Sequence, residues 1–100
     1  MEYSITTHDN RWIVALNGSF TFTDNQKFRD IISEVKKERL NSVELDMSNV
    51  EFIDSAALGM LLLLKDETAA HNTSVILKSP SGQVKKMLEL SKFETLFTIN

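Results

Sequence analysis

The sequence predicts an α/β fold in the order ββαβαβα(β). The expected sheet is mostly parallel, has four to five strands, opens with an N-terminal β-hairpin and carries helices packed against it. Three observations lead there. Short runs rich in β-branched and aromatic residues alternate with longer runs whose apolar residues recur at helical spacing. The first two β-like runs are separated only by His8-Asp9-Asn10, which is turn chemistry. Later strands are separated by helices, and such connections return the chain parallel, whereas a tight turn returns it antiparallel.

Taken in order, Tyr3–Thr7 reads as a short strand and Arg11–Leu16 (RWIVAL) as a stronger one, with Asn17-Gly18 closing it. Thr23 is the expected N-cap of the first helix, with Gln26 at capping-box distance. Phe28, Ile31, Ile32 and Val35 then give that helix one apolar face, and Lys36, Lys37 and Arg39 suit its C-terminal dipole. Ser42–Met47 is the next strand, with Val43, Leu45 and Met47 on one side. A polar turn should follow, and the second helix should run from Asp54 or Ser55 to about Ala70. Thr73–Leu77 is another strand. Pro80 follows it, and Ser81 should cap a third helix over about Gln83–Ser91 that buries Val84, Met87 and Leu88. Leu96–Ile99 suits a short final strand or a docked tail.

The 100 residues, 42% of them hydrophobic, suit one domain spanning 1–100. A net charge of -3 argues against a nucleic-acid ligand, whose phosphates demand a cationic surplus. Without cysteine there is no disulfide or thiolate chemistry. The longest apolar run, Met60–Leu64, falls far short of the ~20 residues of a membrane span, and the N-terminus lacks a basic segment followed by an apolar one. The expectation is a cytoplasmic protein with no membrane insertion.

The second helix carries the interest. At 100° per residue, Ala57, Leu61, Leu64 and Thr68, flanked by Leu58, should face the sheet. Ser55, Gly59, Leu62, Leu63 and Asp66 fall opposite, and that side is too apolar for a plain solvent face, so a partner is expected to dock there, the alternative being that neighbouring helices wrap it. Gly59 costs a helix interior roughly 1 kcal/mol against alanine: either the fold tolerates that cost, or a backbone approaches closely, the chain's own or a partner's. Asp54 should cap the helix through its carboxylate. Ser55 then sets a hydroxyl at a helix N-terminus, where free N–H groups and the dipole favour phosphate.

Catalysis is not expected. His71 lies 16 positions after Ser55, about 24 Å along one helix, while a nucleophile and its base need hydrogen-bond reach. His8 qualifies only if the first turn packs near the second helix. His8 and His71 are too isolated for a zinc site. With only Gly18, Gly59 and Gly82 there is no glycine-rich phosphate loop. Asp46, Glu51 and Asp54 suit strand ends and caps better than a Mg²⁺ site, so no metal or other cofactor is expected.

Residues 45–64, LDMSNVEFIDSAALGMLLLL, resemble the central signature of STAS domains, specifically the stand-alone anti-sigma factor antagonists of bacteria. Asp46 and Ser48 match its first half; Asp54, Ser55, Leu58 and Gly59 match its second. Ala56 stands where many members have Ser or Thr, and Ala57 where many have Gly. The resemblance implies a partner switch with no enzymatic activity of its own. Unphosphorylated, such a protein binds an anti-sigma factor or serine-protein kinase of the histidine-kinase-like ATPase type. Phosphorylation at the serine matching Ser55 blocks binding, and a PP2C-type phosphatase reverses it. Asp46, Ser48, Asp54 and Ser55 would then meet the partner together with Ala56, Gly59, Leu62 and Leu63. The alternative is a STAS subunit held constitutively in a transporter or stressosome-like complex, with no phosphate on Ser55.

Overall fold

Hydrophobic alternation sorts the sheet into two unlike faces. In the computed structural model, which describes residues 1–100, the strands are β1 (Glu2–His8), β2 (Arg11–Phe20), β3 (Ser42–Ile53), β4 (Ser74–Lys78) and β5 (Thr98–Ile99). The helices are α1 (Asn25–Glu38), α2 (Ser55–Thr68) and α3 (Gly82–Leu90), with 3-10 turns at Phe22–Asp24, Ala69–His71 and Phe93–Thr95. The strands lie side by side in chain order, antiparallel between β1 and β2 and parallel from β2 to β5. Trp12, Val14 and Leu16, Val43, Leu45 and Met47, and Val75 and Leu77 are buried on one face. The alternate residues Ile13, Ala15, Glu44, Asp46 and Ile76 are only half-buried. Right-handed crossovers in a sheet whose order follows the chain put every connecting helix on the same side. Accordingly Phe28, Ile31 and Val35 of α1, Leu61 and Leu64 of α2, and Val84 and Leu88 of α3 join the buried strand residues in one core. Each such side chain removed from water contributes about 1.5–3 kcal/mol. The expected element order is therefore the observed one.

The expected boundaries shift in ways that matter to the site. β2 does not close at Asn17-Gly18 but continues to Phe20 through two register shifts, with Gly18 at φ +92. A residue without Cβ takes that conformation freely. β3 does not break into a polar turn after Met47. It runs on to Ile53, because β2 stays beside it as far as the Phe20–Ile53 pair. Ser48 and Asn49 are exposed residues of this strand, and the Asp46 carboxylate accepts the Ser48 N–H at 3.0 Å. On its other side β3 loses β4 after the Asp46–Lys78 pair. There the Gln83 amide of α3 substitutes for a strand: it accepts from the Ile53 N–H at 3.0 Å and donates to the Ile53 carbonyl at 2.9 Å.

The cap of the first helix also differs from expectation. Thr23 pairs its hydroxyl with Thr21 at 2.9 Å, and Gln26 donates to Asp30 at 3.0 Å. The chain instead turns at Asp24, whose carboxylate accepts the Thr21 N–H at 2.9 Å and the Met1 ammonium at 3.1 Å. Burial alone would raise the Asp24 pKa. The Thr21 N–H, the ammonium and Lys27 outweigh it and hold the carboxyl below its ordinary value. Ser81 occupies the cap position of α3 without a side-chain capping bond, and Met87 is half-buried.

Candidate functional site: a groove beside the N-terminus of α2

β2 and β3 end side by side, which brings together two segments 32 residues apart. Asp54, extended at φ -108, caps α2: its Oδ1 accepts the Ala57 N–H at 2.9 Å, as its sequence position predicts. Its Oδ2 accepts the Phe22 N–H at 3.1 Å. One carboxylate thus ties the 3-10 turn before α1 to the start of α2. The tie holds out Phe22, which is 68% exposed and is the most exposed aromatic ring of the chain.

Between these segments runs a groove of about 380 Å³, lined by Phe22, Asn25 and Arg29 on one wall and by Ala56, Gly59, Met60 and Leu63 on the other. A second hollow between Arg29, Lys36, Leu63 and Glu67 continues it along α1 and α2, closed by a Lys36–Glu67 ion pair at 3.5 Å. Ser55, the first residue of α2, is exposed at the head of the helix next to Ala56. Most first-turn N–H groups of a helix have no partner within it, so the position suits a phosphate electrostatically.

The face of α2 expected against the sheet is there: Ala57, Leu61, Leu64 and Thr68 are fully enclosed. On the opposite face Ser55, Gly59 and Asp66 are exposed, but Leu62 and Leu63 are half-buried rather than exposed as expected, because both pack against the rim of the core. Gly59 is informative. A Cβ built on it would meet nothing within 4 Å, so no close approach within this chain explains it.

The structure does not gather every expected residue. Ala56, Gly59 and Leu63 line the groove, with Asp54 and Ser55 at its head. Asp46 and Ser48 lie elsewhere on β3, and Ser48 borders a separate polar cleft with Asn17, Asn49 and Ser81. Sequence reasoning missed Phe22 and Gln83. An aromatic residue directly before a helical pattern was a usable signal for Phe22; nothing local marked Gln83. Neither histidine comes near Ser55. His8 pairs with Arg11, level with Ser42 at the far end of the twelve-residue β3, and His71 closes the turn after α2.

The fold and the sequence have counterparts among known proteins. The family model described as "STAS domain" matches residues 2–100. A STAS-domain containing protein of Pseudomonas aeruginosa (strain UCBPP-PA14) is 39% identical over 87 residues, 87% of this chain and 85% of the relative. Among solved structures, the TM1081 protein of Thermotoga maritima has a TM-score of 0.87 at 21% identity, covering 97% of this chain and 84% of its own. The unphosphorylated anti-sigma factor antagonist SpoIIAA has a TM-score of 0.78 at 18% identity, covering 99% and 87%. The structural likenesses establish the SpoIIAA-like fold. With the family model spanning nearly the whole sequence and a relative of that identity alongside, the chain belongs to the STAS domain family.

Proposed function

We propose that this protein is an anti-sigma factor antagonist that works by partner switching, with the groove between Phe22 and Leu63 as its docking surface and Ser55 as its phosphorylation site. The unphosphorylated form binds an anti-sigma factor or serine-protein kinase of the histidine-kinase-like ATPase type. That kinase modifies Ser55, and a PP2C-type phosphatase restores it. The protein itself catalyses nothing. Asp54, Ala56, Gly59, Leu62 and Leu63 belong to the docking surface; Ser48 joins it where the partner reaches round to the polar cleft, and Asp46 supports Ser48 by accepting its N–H.

The observation that carries this reading is Gly59, an exposed glycine in a helix interior that no part of the chain crowds, in the mostly apolar α2 wall of a groove beside an exposed serine. A glycine there admits a partner's backbone closely. The phosphate's effect follows from charge. It adds about -1.5 to -2 charges at pH 7. The helix N-terminus accommodates them, so the fold stays as it is. A docked partner meets a dianion at the head of the groove, beside the Asp54 carboxylate, and like-charge and desolvation costs of several kcal/mol fall on the interface. SpoIIAA, solved in both forms, supports a switch without refolding: its unphosphorylated and phosphorylated structures resemble this chain with TM-scores of 0.78 and 0.76.

The test is a titration of Ser55→Ala and Ser55→Asp against each histidine-kinase-like ATPase of the native host. Ser55→Ala should bind one of them as the wild type does. Ser55→Asp should bind it about a hundredfold or more weakly, roughly 2.8 kcal/mol. Equal binding by both variants contradicts the switch and favours a constitutive subunit.

A further inference from the structure

The two edges of the sheet are built differently. β5 has two residues, and the chain beyond it is tied down by Asn100, which donates to Leu77 and accepts from Ser79. β1 has seven residues, with no proline, lysine or bulge, and its register with β2 is unbroken from Glu2–Asn17 to His8–Arg11. Edges of that length are normally blunted, since their free N–H and C=O groups are a template for another strand.

The hairpin fixes which groups are free. Only Asp9 and Asn10 separate His8 from Arg11, so these two exchange both backbone hydrogen bonds. Alternation then turns the N–H and C=O of Glu2, Ser4, Thr6 and His8 toward β2 and those of Tyr3, Ile5 and Thr7 outward. The outward groups take no partner from any turn, loop or side chain. β1 is also held in place at its start, where the Lys27 ammonium donates to the Met1 carbonyl at 2.6 Å.

We propose that β1 pairs antiparallel with β1 of a second copy, across a two-fold axis midway between the two Ile5 residues, so that two sheets become one. In this register Ile5 faces Ile5, and Tyr3 faces Thr7 of the other copy, so every outward N–H and C=O is satisfied. A slip of two residues leaves some unpaired at each end, and a slip of one puts the side chains on the wrong faces. The side chains agree with the register. Tyr3, 40% exposed, and the half-buried Ile5 meet on the helix side of the sheet and extend the core across the junction. On the other side Ser4 faces Thr6, and Glu2 faces His8, so no like charges oppose each other. The contact is small beside the ~800 Å² per partner of a standard interface, so the dimer depends on concentration.

Sedimentation velocity from about 10 μM to about 1 mM, the range of weak contacts, tests this. The wild type should pass from monomer to dimer. Thr7→Pro removes an outward N–H and no β1–β2 hydrogen bond, and proline is tolerated at such edges. It should raise Kd at least about tenfold with its amide spectrum still folded. Should that variant fail to fold, Ile5→Lys, which sets two ammonium groups opposite each other in this register, should weaken the dimer instead. In a sample mixing labelled and unlabelled protein, an interchain contact between the α protons of Ser4 and Thr6 identifies the register. A monomer at every concentration overturns the proposal. So does a dimer indifferent to these substitutions or lacking the Ser4–Thr6 contact.

Discussion

On one side of α2, Ala57, Leu61, Leu64 and Thr68 are enclosed completely, and the Thr68 hydroxyl donates to the Leu64 carbonyl at 2.8 Å. On the other side Ser55 and Gly59 are open, and Leu62 and Leu63 sit half out of the core. The first face follows from folding alone: each residue is apolar or satisfies its own polar group, and each contributes to the shared core. The second face contains choices that folding does not need. A glycine in the helix interior weakens the fold, and the nearby 3-10 turn exposes a phenylalanine to water. The difference separates residues that hold the protein together from residues available to a partner.

Substitutions break or sharpen that contrast. The largest effect should come from Leu61→Ala, which empties a fully enclosed position and should cost about 2–5 kcal/mol, read as a fall in the denaturant midpoint. Its partner affinity, measured where it remains folded, should change little. Gly59→Ala should do the reverse. Its Cβ meets nothing in the free protein, so the helix should gain up to about 1 kcal/mol in thermal or denaturant unfolding. Partner binding should weaken by about tenfold or more if a backbone rests on Gly59. A gain in stability with unchanged binding would remove Gly59 from the docking surface.

The smallest effect concerns the groove's other wall, where Asp24 anchors the turn that bears Phe22. Its folded pKa is below its ordinary value of 3.8, so the unfolded chain takes up a proton first as pH falls. The stabilisation is therefore present above about pH 3.8 and is lost as pH drops through the lower, folded value. Urea midpoints should show an acid-side decline that is shallower in Asp24→Asn. An identical decline in both proteins would assign the effect to other carboxylates.

The legible parts of the fold were those written in local periodicity. Val43, Leu45 and Met47 marked a strand face, and Ala57, Leu61, Leu64 and Thr68 marked the buried side of α2. Asp54 showed itself as a cap because capping is a contact within three residues. What stayed hidden depends on partners far along the chain. Ser48-Asn49 resembled a turn because two polar residues interrupt the alternation, yet β2 continues beside them and keeps the strand extended. The hydrogen bonds from Phe22 to Asp54 and between Gln83 and Ile53 span 32 and 30 residues, and no local pattern reports them. Thr23 and Gln26 have capping-box spacing, yet the chain turns on Asp24 three residues after Thr21. In the site itself, the serine and glycine were visible in sequence; the groove wall bearing Phe22 was not.

The central claim is that Ser55 governs an available surface of α2, and the most direct measurement is phosphopeptide mapping of the protein recovered from its native host across growth conditions. A condition-dependent phosphate on the peptide containing Ser55, at that residue, is the expected result. Phosphate placed only elsewhere, or absent under every condition, would contradict it.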